Sequence, residues 1–119
     1  MAVIRKKAQS DASALLRENA DIKGFFGCNN TSTVGIVNTL LKEERTDVVL
    51  VGFDLADETK QMLQNPEYHA VTVLQKQDQM GYLGMLSLNS LIKGKKSEQK
   101  YFDTGVIMVD SDYLMENAV

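Results

Sequence analysis

The run Asp47-Val48-Val49-Leu50-Val51-Gly52-Phe53 constrains this chain more than any other segment. It is β-branched and apolar at consecutive positions, so the strand it forms needs cover on both faces. Such a strand belongs in the middle of a sheet with helices above and below it. The flanking segments have the lengths to supply them. A helix is expected over about residues 9–18, with Ser10 or Asp11 as cap and Ala12, Leu15 and Leu16 as its apolar stripe. Residues 22–28 form an apolar run of strand length. A second helix is expected over about residues 31–44, where Val34, Val37, Leu40 and Leu41 recur at spacings of three and four. Asn30 or Thr31 can cap it. Asp57 is expected to cap a short helix over about 58–64, which stops before the only proline, Pro66. Residues 68–74 read as a third strand. Asp78 caps a long helix reaching about residue 93, expected to turn Met80, Leu83, Leu88, Leu91 and Ile92 inward. Gly94 stands where a left-handed stop is wanted. A last strand over 105–109 leads into a short terminal helix.

Strand–helix alternation with these lengths implies parallel strands joined by right-handed crossovers. The expected class is α/β, three-layer, with a mainly parallel sheet and helices on both faces. The 119 residues suit one compact domain. The net charge of −3 offers no basic surplus for a nucleic-acid partner, and the basic runs at 5–7 and 93–96 read as solvated helix ends. One cysteine and one histidine exclude an internal disulfide and a zinc cluster. No cofactor motif is present. Lys93-Gly94-Lys95-Lys96 fails as a phosphate loop, because Asn89 replaces the first glycine and Lys96 the Ser or Thr. Cys28 lacks a base nearby in sequence and reads as a buried structural thiol. His69 reads as a mid-strand residue, and Gly81 and Gly84 as sites of close helix packing. The start of the chain has no long apolar stretch, so no secretory signal is visible; in a piece of a longer protein that bears on nothing.

Chemistry is expected where the strands end. Asn29-Asn30 follows the first strand, Asp54 the second and Gln75 the third. In a parallel sheet the carboxyl ends share one edge, and ligands bind there. An amide offers a donor and an acceptor to adjacent hydroxyls, and an ionised carboxylate accepts strongly from hydroxyl protons. The set suits a polyhydroxylated ligand. Asn29, Asp54 and Gln75 could equally be caps of helices or turns.

Gly24-Phe25-Phe26-Gly27-Cys28-Asn29-Asn30, Gly35, Val51-Gly52-Phe53-Asp54, Val73-Leu74-Gln75 and Met80-Gly81-Tyr82-Leu83-Gly84 together resemble the C-terminal half of type I periplasmic sugar-binding proteins. The likeness runs over about residues 8–112. It implies that Asn29, Asp54 and Gln75 contact a sugar. It implies a lobe core of 8–75 and 105–119, with the helix and connection of 76–104 belonging to a second lobe. It also implies a sugar or polyol ligand, a membrane transporter or sensor as partner, a periplasmic or membrane-anchored location, and binding without chemical conversion. Two features depart from the family. Asn30 stands where the family commonly has Asp, and the chain holds about one lobe of two. The apolar stripe of the 76–93 helix is then left without its sheet, which suggests that it either packs on a second copy, as a helix-exchanged homodimer of this piece, or folds back non-natively.

Two other readings stay open from sequence. A response-regulator receiver shares the length, the alternation and an Asp at a strand end, but needs further acids after its first strand. A lactose-repressor-type regulator uses the same lobe. Regulators often carry a proline before the second strand and a Pro-x-Leu-Thr turn before the third, and neither is present here.

Overall fold

Periodicity in the sequence becomes alternating strands and helices in the computed structural model, which describes residues 2–96 and 99–117. The order is α1 (Ala2–Glu18), β1 (Gly24–Phe26), α2 (Asn30–Lys42), β2 (Val49–Phe53), α3 (Asp57–Leu63), β3 (Ala70–Gln75), α4 (Gln77–Ile92), β4 (Val106–Val109) and α5 (Ser111–Asn117). The strands form one sheet in the order β1-β2-β3-β4. β1 and β2 are parallel, with Phe26 opposite Val51, and β2 and β3 are parallel, with Phe53 opposite Val73.

The chain divides into two compact units, Met1–Leu74 with Met108–Val119 and Gln75–Ile107. In the first, the core forms where the sequence period is cleanest. Val34, Val37 and Leu40 of α2 are 0% exposed. Ala12 and Leu16 from α1, Leu50 from β2 and Met62 from α3 join Val37 and Leu40 in one apolar cluster. Each large side chain buried in this way contributes about 1.5–3 kcal/mol. Gly35 lets α1 and α2 touch, since a Cβ there would stand 2.5 Å from Ala8 Cβ. The sheet's other face is more open: Phe26 meets Phe53 edge to face at 6.2 Å yet is 61% exposed.

Several boundaries differ from expectation, for physical reasons. α1 starts at Ala2, a full two turns before residue 9, because Lys7 pairs with Asp11 at 2.8 Å, Arg5 reaches Glu58 on α3 and Ala8 packs on Gly35. Ser10 and Asp11 therefore lie inside the helix and cap nothing. The basic run at 5–7 also lies inside the helix instead of at a solvated end. β1 is only three residues long. α2 is capped by Asn29, one residue earlier than expected, and α3 by Ala56 without a side-chain bond. His69 precedes β3 and is exposed.

In the second unit, α4 begins after Lys76, so Asp78 is in its first turn and does not cap it. It ends as expected at Gly94, with φ of 72°. Gly94 N–H donates to Leu91 O and Lys95 N–H to Ser90 O, the paired bonds of a left-handed C-terminal stop. The expected inward stripe is not realised. Met80, Leu88, Leu91 and Ile92 are exposed, Leu83 is half-buried, and no α4 residue is buried. Gly81 and Gly84 would meet nothing within 4 Å if given a Cβ, so they make no close packing here. Met80, Leu83 and Gly84 line a shallow pocket with Tyr101 and Phe102, which is the cover this unit provides.

Candidate functional site

β1 ends at Phe26 and the chain turns through Gly27 and Cys28 into α2. Asn29 is the turning point. Its backbone is extended, and its Oδ1 accepts from Ser32 N–H at 2.9 Å while Ser32 Oγ accepts from Asn29 N–H at 3.1 Å. These reciprocal bonds satisfy orphan donors at the helix start. The capping alternative is thus realised for the oxygen of Asn29. Because that oxygen is fixed by a backbone donor, the exposed amide presents its Nδ2 as a hydrogen-bond donor. Asn30, expected as a possible cap, is instead the first helical residue, and its Oδ1 is buried without a hydrogen-bond partner.

Asp54 follows β2 directly and is half-buried. Its φ is 64°, in the left-handed region that Asp tolerates better than most residues. Neighbouring backbone holds it there: Asp54 N–H donates to Val73 O at 2.8 Å, and Thr72 Oγ1 donates to Asp54 O at 2.7 Å. Backbone held in a sparsely populated region is a common mark of functional sites. Asn29 and Asp54 thus leave the carboxyl ends of two adjacent parallel strands. Gln75 is the last residue of β3, opens the second compact unit and is half-buried.

Cys28 is exposed instead of buried, because it lies in the turn past β1 and not in the strand; its sulfur sits 3.8 Å from Ser32 Oγ. Among the described residues, no three His, Cys, Asp or Glu side chains are placed to share a metal ion. No described helix is long and apolar enough to cross a membrane.

The amino end of β2 has a different character. Asp47 bonds Arg45 Nε and Lys23 Nζ, each at 2.7 Å. The Arg45 and Lys23 bonds hold the Asp47 carboxyl well below the usual carboxylate range, and Arg45 is raised in turn by its bond to Asp47. Lys23 and Asp47 face water while Arg45 is half-buried, so this network is largely screened and adds little stability.

Sequence reasoning missed Thr33. It is fully buried between the two strand ends, and its hydroxyl contacts both. A Thr four residues after a cap carbonyl is the one available signal, since Thr side chains often bond back to the i−4 carbonyl.

Comparison with known proteins bears on the family and the fold. The family model for "Periplasmic binding protein domain" matches residues 4–96. The ribose import binding protein of Escherichia coli is 29% identical over 87 residues, covering 73% of this chain and 29% of that protein. A carbohydrate transporter solute binding protein from Agrobacterium radiobacter, solved with D-arabinose, superposes with a TM-score of 0.82 at 26% identity, covering 96% of this chain and 38% of that one. A solute binding protein from Agrobacterium vitis with bound D-fucose gives 0.81 at 27% identity, covering 96% and 39%. The chain therefore spans about a third of the length of the relatives it matches. The α/β, three-layer class with a mainly parallel sheet stands, and the receiver reading falls because the match over residues 4–96 is to a different family. With the family model covering most of its length, this chain belongs to the periplasmic binding protein domain family.

Proposed function

We propose that this chain is one lobe of a sugar-binding protein, which captures its ligand between two lobes and does not alter it chemically. The observation that carries the reading is the placement of Asn29 and Asp54 past the carboxyl ends of adjacent parallel strands. In this reading Asn29 Nδ2 donates to a sugar hydroxyl and the Asp54 carboxylate accepts from one or two others. Gln75, at the end of β3, supplies a third polar contact. A sugar with a misplaced hydroxyl leaves one of these groups unpaired, which is the source of selectivity.

Residues 8–75 and 105–119 form the core of this lobe, and 76–104 belong to the other. The exposed apolar positions of α4 support that assignment, and they also support a helix-exchanged homodimer when the other lobe is missing. The import and transporter proteins among the relatives favour a transport or sensing role over a repressor role. They also favour a periplasmic location, with a membrane transporter or sensor as partner. A lobe alone leaves its sugar half solvated and binds it weakly.

Calorimetry with D-ribose tests the half-clamp. This chain alone should show binding no tighter than the millimolar range (about −4 kcal/mol). The same chain joined to the rest of its protein should bind far more tightly. Micromolar binding by this chain alone would contradict the proposal.

A further inference from the structure

A parallel ladder between β1 and β2 can be followed rung by rung. Val49 N–H donates to Lys23 O, and Gly27 N–H donates to Val51 O at 2.8 Å. Continued once more, it would join Phe53 N–H to Gly27 O. That rung is not made. Phe53 N–H donates to Thr33 Oγ1 at 2.9 Å instead, and the same hydroxyl lies 2.9 Å from Asn29 O and 3.4 Å from Gly27 O. One hydroxyl therefore stands between the strands where their pairing stops. It accepts from the residue before Asp54 and donates to the carbonyl of Asn29.

Two glycines make the room. A Cβ at Gly27 would stand 2.4 Å from Thr33 Oγ1, and one at Gly52 2.5 Å from Thr33 Cγ2. Both distances lie far inside van der Waals contact, so the threonine fills space that only this pair of glycines leaves open. Thr33 is 0% exposed, and without its hydroxyl the Phe53 N–H has no other acceptor in place.

We propose that Thr33 is the positioning residue of this edge: its hydroxyl ties the Asn29 turn to the Asp54 turn and fixes the spacing between them. The inference rests on reading that edge as the ligand site. Its bridge, however, is testable without any ligand.

The experiment compares Thr33→Val, which keeps the shape and removes the hydroxyl, with Thr33→Ser, which restores the hydroxyl. Thr39→Val is the control. Thr39 is equally buried on α2, but its hydroxyl bonds Gln9 O and Gly35 O, away from the edge. Amide hydrogen exchange and amide chemical shifts are read by NMR on this chain. Thr33→Val should speed exchange at Phe53 by roughly tenfold or more and shift the Asn29 and Asp54 amides. Thr33→Ser should return all three toward the parent, and Thr39→Val should leave them in place. Unchanged signals in Thr33→Val would overturn the proposal, as would equal shifts in the Thr39 control. If Thr33→Val does not fold, the parent chain still decides. A buried, bonded Thr33 hydroxyl proton should exchange slowly enough to be observed, and its absence would count against the bridge. Titration with millimolar D-ribose separates the two ideas. A roughly tenfold weaker response in Thr33→Val, recovered in Thr33→Ser, supports the positioning role. An unchanged response despite shifted amides overturns it. A parent chain that ignores D-ribose tells against the edge as a ribose site, while the amide arm still decides the bridge.

Discussion

α2 and α4 are helices of similar length and comparable apolar content, yet they meet opposite fates. α2 buries Val34, Val37 and Leu40 completely. α4 buries nothing, and Ile92 at its end is 77% exposed. The apolar stripe is sharper on α2 than on α4, yet the main difference is not there. It lies in what each stripe finds. α2 has β2, α1 and α3 against it, whereas α4 has the strip around Tyr101 and Phe102. An apolar pattern is a demand for a partner, and only the rest of the protein decides whether the demand is met.

The largest expected effect sharpens that contrast directly. Leu40→Ala should cost about 2–5 kcal/mol in urea unfolding of this chain, because it empties a space the core cannot refill. In solution dilute enough to keep the chain monomeric, Leu88→Ala should change stability by less than about 0.5 kcal/mol, as an exposed substitution does. A large loss at Leu88 would show that α4 is covered in solution, and would break the comparison. A smaller effect is expected at the glycines. Gly35→Ala should destabilise by about 1–3 kcal/mol, since its methyl runs into Ala8. Gly84→Ala should stabilise by about 0.5–1 kcal/mol through helix propensity alone, with open space around it. Thermal melts read both signs. Destabilisation by Gly84→Ala would mean that another surface lies against α4.

What could be read from sequence divides along the same line. The α2 stripe and the β2 strand were legible, because local period and β-branching determine them once burial follows. The left-handed stop at Gly94 was legible for a local reason too. The start of α1 was not, since its first two turns depend on Glu58 and Gly35, far along the chain. At the site, strand ends followed by Asn29 and Asp54 were visible from pattern. The choice of Asn29 over Asn30 as cap was not, because it turns on Ser32 reaching back. The positive φ of Asp54 and the bridge of Thr33 were also hidden, being set by contacts between strands. Cys28 misled for a related reason: β1 ends two residues early, at Phe26, which moves Cys28 from core to turn.

The proposed function turns on which end of β2 a sugar touches. Two aspartates mark the choice, Asp54 past its carboxyl end and Asp47 before its amino end. An NMR titration of this chain with D-ribose, carried to high millimolar concentration, reads both at once. The predicted result is saturable shifts at the amides of Asn29 and Asp54, with Lys23, Arg45 and Asp47 unmoved. Shifts confined to the Arg45–Asp47 end, or spread evenly over the chain, would contradict it.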